Sequence, residues 1–323
     1  MRDYEKPTII LSKCINEEPC RYDGTKISNS FVKILSSYVN FIKVCPEVGI
    51  GLPIPRDTLR LVLKDEVERL VFSKSGEDMT DVMEEFTNSF MGELGTKKIH
   101  GAILKSRSPS CGMNDVKLYN DYGKGRTIGN KSSGLFAKGI FGSFPYIPIE
   151  NEGRLTNYNI REEFLTRIFT KASFDNIKNK KSMKELVRFH SENKYLLMCH
   201  SQRNLKELGQ ITANHEKLQI DEVLVKYEYS LEKALSISSK PMRNVNMLLH
   251  LFGYFSKYIT KDEKVFFLDT LESYSDKRVP FSVPLALIYS WVMRFENKYL
   301  LNQTIFNPYP KELVDLRDSG KST

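Results

Sequence analysis

Hydrophobic and polar positions follow two different periods along this chain, and the change falls near its middle. In the first half, short apolar runs at Thr8 to Ser12, Phe41 to Val44 and Ile99 to Leu104 each end in turn-forming residues, which predicts strands. Between them, Phe31, Ile34, Leu35 and Val39 recur at helical spacing, and Asp78 to Leu94 carries Val82, Phe86, Phe90 and Met91 on one side. A Gly/Pro-rich connection from Gly49 to Pro55 leads to Leu59 to Val62, which opens either a helix or a short strand. A Gly-rich stretch (Gly123, Gly125, Gly129, Gly134) precedes Phe136 to Phe144, read as a helix end and a final strand. This alternation predicts an α/β domain with a mostly parallel, Rossmann-like sheet.

Beyond the polar segment Pro148 to Asn159 the period becomes helical. Arg161 to Phe169, Met183 to Leu208, Asp221 to Ser236, Val245 to Ile259, Asp262 to Ser275 and Val283 to Phe295 all show it. The second half therefore reads as an all-α helical domain, with the boundary drawn between residues 1–153 and 154–323. Asn307-Pro308-Tyr309-Pro310 is incompatible with a helix and is expected to wrap the surface before a frayed tail.

A chain of 323 residues is longer than one core usually grows, which agrees with two domains. No apolar run approaches the ~18 residues of a membrane span. The start, Met1 to Pro7, lacks the apolar core of a signal peptide, so a cytoplasmic location and no membrane contact are expected. The net charge of +8 is uneven: residues 1–153 hold 21 Lys and Arg against 20 Asp and Glu, and residues 154–323 hold 27 against 20. The basic C-terminal half is thus the candidate for an RNA contact. Tyr195, Tyr254, Phe255 and Tyr258 are its candidate stacking residues, although helical spacing usually marks such aromatics as core.

Five cysteines, an odd and irregularly spaced set, argue against a disulfide framework. Cys14, Cys45 and Cys111 each lie where a strand-like run has stopped and a turn begins. In an open parallel sheet the carboxyl ends of strands share one edge, so these thiols can meet although 30 and 65 residues separate them in sequence. A buried cysteine is by itself usually a small hydrophobe; position alone leaves that account and a site about evenly matched. Cys20 can approach Cys14 across a short loop, whereas Cys199 reads as helix core. Glu47, two residues past Cys45, is a candidate proton donor or acceptor. Ser108 and Ser110, flanking Pro109, offer hydroxyls and N–H groups to a small polar ligand. Thiolate-only ligation selects zinc, Cu(I) or iron–sulfur, and the close Cys pairs of structural zinc sites are absent.

Ser12-Lys13-Cys14, Arg21-Tyr22-Asp23-Gly24, Cys45-Pro46-Glu47-Val48, Gly51 to Arg56 and the loop Leu104-Lys105 with Ser108-Pro109-Ser110-Cys111-Gly112 together resemble the 2-thiouracil desulfurase (TudS-like) family. The resemblance spans residues 7–148. It implies a [4Fe-4S] cluster ligated by Cys14, Cys45 and Cys111 with one open iron, and it leaves out Cys20, where many members carry Val. It implies a non-redox desulfurase acting on 2-thiouracil or a related thiolated pyrimidine, with the sulfur taken by the open iron. In that reading Glu47 transfers protons, Ser108 and Ser110 orient the base, Lys105 adds a charge, and Arg21, Asp23 and Arg56 are scaffold; the sulfide acceptor stays open. The second half resembles the YbgA-like helical domain through Phe189-His190, Lys194-Tyr195, His200-Ser201, Leu208-Gly209, Asn244, His250, Gly253-Tyr254-Phe255 and Asn307 to Pro310, and its role is open. Two other readings stand beside this one: a tRNA-binding or processing protein using the basic half, and a zinc or cysteine hydrolase using the same pocket. His190, His200 and His250 lack the carboxylates that usually accompany a metal site, and a buried polar network is the expected role of such groups.

Overall fold

The computed structural model describes residues 3–95, 97–315 and 318, with the side chain of residue 130 excepted. Chain contacts divide it into one unit of Met1–Ala172 with Pro310–Thr323 and a second of Ser173–Tyr309.

The first unit runs β1 (Thr8–Ser12), α1 (Ser30–Leu35), β2 (Asn40–Val44), α2 (Pro46–Gly49), β3 (Leu59–Lys64), β4 (Val67–Phe72), α3 (Thr80–Leu94), β5 (Gly101–Leu104), β6 (Val116–Tyr119), β7 (Thr127–Ser132), α4 (Leu135–Ser143) and β8 (Ile149–Asn151). One sheet has the order β2-β1-β5-β8, and all its pairs are parallel. Its two central strands, Thr-Ile-Ile-Leu-Ser and Gly-Ala-Ile-Leu, are apolar on both faces, as a parallel strand covered on two sides requires. From β1 the chain passes to β2 on one side and later to β5 on the other. The strand order therefore reverses at β1, and an open α/β sheet has its crevice at the carboxyl end of such a strand.

Leu59 begins a strand rather than a helix. It belongs to a second sheet of order β4-β3-β6-β7, in which β3–β4 and β6–β7 are antiparallel. Asp65 and Glu66, both at positive φ, close the β3–β4 hairpin as a two-residue turn. β4, β6 and β7 leave no strand pattern in the sequence, because their outward positions are charged or polar and the turns of the Gly-rich stretch mask the last two. Phe136 to Phe144 is also corrected: Leu135–Ser143 is wholly helical, and the closing strand is Ile149–Asn151. Pro145 and Pro148, which cannot donate into a helix, separate the two.

α5 (Tyr158–Lys180) crosses the boundary between the units, and the second unit continues with α6 (Met183–Glu192), α7 (Lys194–His200), α8 (Gln202–Ala213), α9 (Ile220–Ser236), α10 (Pro241–Gly253), α11 (Lys261–Ser275), α12 (Ser282–Arg294) and α13 (Lys298–Leu301). Apart from short 3-10 turns, its described secondary structure is α-helical. The single helix read over Met183 to Leu208 is three. Asn193 and Ser201 interrupt it, because their side chains bind nearby backbone: Asn193 donates to the Phe189 carbonyl at 2.8 Å and Ser201 accepts from the Asn204 N–H at 3.2 Å. Asn307 to Pro310 is non-helical, but Tyr309 is buried rather than lying on the surface. The frayed tail expected beyond it falls largely outside the described residues. Among those described, no helix is long and apolar enough to cross a membrane.

Candidate active site

Three neighbouring strands of the parallel sheet deliver the three cysteines. Cys14 lies two residues past β1, Cys45 directly follows β2 as the first cap of α2, and Cys111 sits in the loop after β5. They line one cavity of about 350 Å³ with Cys20, Glu47, Arg56, Lys105 and Ser108. Ser110 stands behind that wall, fully buried.

The loop that carries Cys111 is shaped by close approaches. The Ser108 hydroxyl accepts from the N–H groups of Ser110 and Cys111 at 3.3 and 3.2 Å, and the Gly112 N–H returns to the Ser108 carbonyl at 2.7 Å. A Cβ at Gly112 would stand 2.8 Å from that same carbonyl oxygen. At Gly134 it would overlap the Ser110 carbonyl and lie 2.8 Å from the Cys111 nitrogen. The carbonyls of Pro109 and Ser110 in turn accept from Leu135 and Ala137, satisfying N–H groups in the first turn of α4. The two glycines therefore let the thiol loop rest on a helix start.

Glu47 is fixed on both oxygens. Arg56 donates to Oε2 from Nε at 2.9 Å and pairs with it through Nη2 at 2.7 Å, while the Ser110 hydroxyl donates to Oε1 at 3.0 Å. The same Nη2 donates to the Cys20 carbonyl at 3.0 Å. Arg56, read from the sequence as scaffold, is thus the ion partner of the candidate acid–base residue. Lys105 has a partner that sequence reasoning missed: its Nζ lies 2.6 Å from Glu152 Oε1, and Glu152 also accepts from the Ser106 hydroxyl and N–H. Glu152 lies in the polar segment Pro148 to Asn159, 46 positions beyond the serine it binds. The Lys105 N–H donates to Ser12 Oγ at 2.9 Å and ties the ends of β5 and β1 together. Arg21 and Asp23 form an ion pair at 3.5 Å at the cavity rim.

Cys20, Cys45 and Cys111 are held toward the protonated thiol in this pocket. Cys20 is pushed up to about 11, first by its contact with the Cys14 thiol and further by burial. Cys45 is raised by the Cys20 thiol and by burial, and Cys111 by burial above all. A thiol held neutral is a poor nucleophile, and a metal centre reverses this by deprotonating its ligands outright. Among the described residues no group of three His, Cys, Asp or Glu is set for a single metal ion. The donor set is all thiol, borders a cavity larger than one ion needs, and fits a soft, multi-atom iron–sulfur group.

In the helical unit the three histidines do not converge. His190 bonds the Tyr227 hydroxyl at 3.1 Å, His200 bonds the Ile237 carbonyl at 2.8 Å, and His250 is exposed. Tyr195 and Phe255 are buried in the core, leaving Tyr254 and Tyr258 exposed among the four aromatics considered for stacking. Cys199 packs in the same core.

Residues 9–152 match the family model described as 2-thiouracil desulfurase, and residues 194–310 match one described as a protein of unknown function, DUF1722. The chain is 28% identical over 136 residues to uncharacterized protein YbgA of Escherichia coli (strain K12), covering 42% of this chain and 80% of that protein. It is 26% identical over 125 residues to uncharacterized protein YbbK of Bacillus subtilis (strain 168), covering 37% and 82% respectively. A solved structure of the [4Fe-4S]-dependent thiouracil desulfidase TudS aligns with 46% of this chain and 93% of its own, at 29% identity and a TM-score of 0.38. The chain joins an N-terminal 2-thiouracil desulfurase family domain to a C-terminal DUF1722, YbgA-like segment.

Proposed function

We propose that this protein is a desulfurase that converts 2-thiouracil or a related thiolated pyrimidine to the oxo form with a [4Fe-4S] cluster held by Cys14, Cys45 and Cys111. The observation that carries the reading is the meeting of three thiols that follow neighbouring parallel strands and a clamped carboxylate, Glu47, around one cavity. When bound, the cluster supplies an iron with a free coordination position, a Lewis acid for the thiocarbonyl sulfur.

The chain's own residues do the rest. In the net reaction water gives its oxygen to the pyrimidine carbon and the sulfur leaves as sulfide, so protons must move from oxygen toward sulfur. Glu47 takes the proton from water and returns it. Arg56 and Ser110 hold the carboxylate in place: the two Arg56 contacts occupy Oε2, and Oε1, bonded once by Ser110, keeps a lone pair for this work. Ser108 accepts from the loop N–H groups, sets its hydroxyl against the Cys111 thiol and lines the cavity where the substrate's polar edge would lie. Lys105 is neutralised by Glu152, so its contribution is to fix the loop, and through Ser12 the sheet edge, rather than to present a free charge.

The test is anaerobic reconstitution with iron and sulfide, followed by iron and sulfide analysis and an assay of 2-thiouracil with uracil and sulfide measured together. Brown protein that yields one sulfide per uracil is the expected result. Equal activity in metal-free protein, or in protein loaded with zinc alone, would overturn it in favour of a cysteine or zinc hydrolase.

A further inference from the structure

The cavity contains a fourth thiol that the three-cysteine reading does not use. Cys20 is 2% exposed and lines the cavity together with Cys14, Cys45 and Cys111. Its thiol interacts with those of both Cys14 and Cys45. It is not a filler of the apolar core: Cys199 and Cys111 belong to hydrophobic clusters, and Cys20 belongs to neither.

The loop is built to keep it there. The Ile27 N–H returns to the Cys14 carbonyl and the Asn16 N–H to the Ile27 carbonyl, both at 2.8 Å, so the loop closes on itself at the end of β1. Glu18 bonds back to the Lys13 carbonyl at 3.0 Å, and the Cys20 N–H takes the Glu18 carbonyl at 2.8 Å. On the far side, the Cys20 carbonyl accepts from Arg56 at 3.0 Å and from the Cys45 thiol at 3.8 Å. The guanidinium that fixes Glu47 therefore also fixes Cys20.

We propose that Cys20 is a displaceable fourth ligand: its thiolate occupies the open iron when no substrate is present and yields that position to the sulfur of the thiolated base. This rests on the cluster reading above. Four thiolates are the common complement of a [4Fe-4S] cluster, and an iron without a protein ligand is the one most readily lost. The exchange replaces one sulfur donor by another; the iron keeps its oxidation state, and the departing thiolate takes one proton from water. The arrangement would protect the reactive iron between turnovers.

The experiment uses the whole 323-residue chain reconstituted anaerobically as wild type, Cys20→Ala and Cys20→Ser. Iron and sulfide content show whether a cluster is present. Titration with ferricyanide, followed by electron paramagnetic resonance, then reports conversion to a three-iron cluster through loss of the fourth iron. All three proteins are expected to load, with the fourth iron lost roughly tenfold faster in the variants. The serine variant preserves size, so a packing defect in the alanine variant does not decide the result. Loss at the wild-type rate in either loaded variant overturns the proposal. Wild-type protein that loads no cluster overturns the cluster reading itself, and this inference with it.

Discussion

The two units treat their buried polar groups in opposite ways. In the α/β unit, polar and thiol side chains from β1, β2, β5 and the loops after them converge on a cavity. In the helical unit such groups bond to separate neighbours: His190 to Tyr227, His200 to a carbonyl, and Asn244 Nδ2 to the Tyr274 hydroxyl at 2.8 Å. The sequence offers similar chemistry in both halves, including cysteine and histidine. What separates a site from a satisfied core is convergence on a concave surface, and parallel strand ends produce that convergence where stacked helices do not.

The largest effect should come from the thiols. Cys111→Ser is expected to abolish stable iron loading and desulfuration, whereas Cys199→Ser, in the helical core, leaves iron content unchanged. Normal iron in the first variant, measured by metal analysis after anaerobic purification, would remove the contrast between the units. Next comes Glu47→Gln, which keeps the shape and removes the charge. Desulfuration should fall by about 10²–10⁴-fold, as for a lost general acid–base group, with the cluster spectrum intact. A drop in iron content instead would make Glu47 structural.

Gly134→Ala pushes a methyl into the Ser110 carbonyl. Overpacking of this kind costs about 1–3 kcal/mol, and here it should also shift the Cys111 loop, so urea melts and activity should fall together. Tyr274→Phe, in the other unit, strips Asn244 Nδ2 of its partner. It should cost roughly 1–3 kcal/mol in the same melts with desulfuration unchanged. A parallel loss of activity would show that the helical unit takes part in the reaction.

The smallest effect concerns pH. Burial, and then Lys194, hold His190 below its ordinary 6.5, so the folded ring stays neutral while the unfolded one gains a proton. The associated stability is complete above pH 6.5 and is lost as pH falls through the lower folded value. Thermal melts between about pH 7.5 and 5 should therefore decline on the acid side, and His190→Gln should flatten the decline.

Much of this was legible in the residues. The apolar runs of β1 and β5 identify buried parallel strands by composition alone, and cysteines just past such runs point to one edge. β4, β6 and β7 were not legible, because charged residues on their exposed faces erase the apolar run and their pairing is set by hairpins. Asn193 and Ser201 broke a helix that periodicity had joined, since capping is a decision of single side chains. The Glu47–Arg56 and Lys105–Glu152 pairs have no sequence signature, because their separations follow loop paths.

The sequence by itself determined the change from strand-and-helix alternation to helices, and the order of the three thiols along the chain. Both rest on local period and composition. Only the tertiary structure decided that strand order reverses at β1, and so which loops share a crevice. That reversal placed Glu47 between Arg56 and Ser110, set Glu152 against Lys105, and brought Cys20 against Cys14 and Cys45. Contacts of this kind join residues far apart in the chain, and strand pairing selects them where side-chain period cannot.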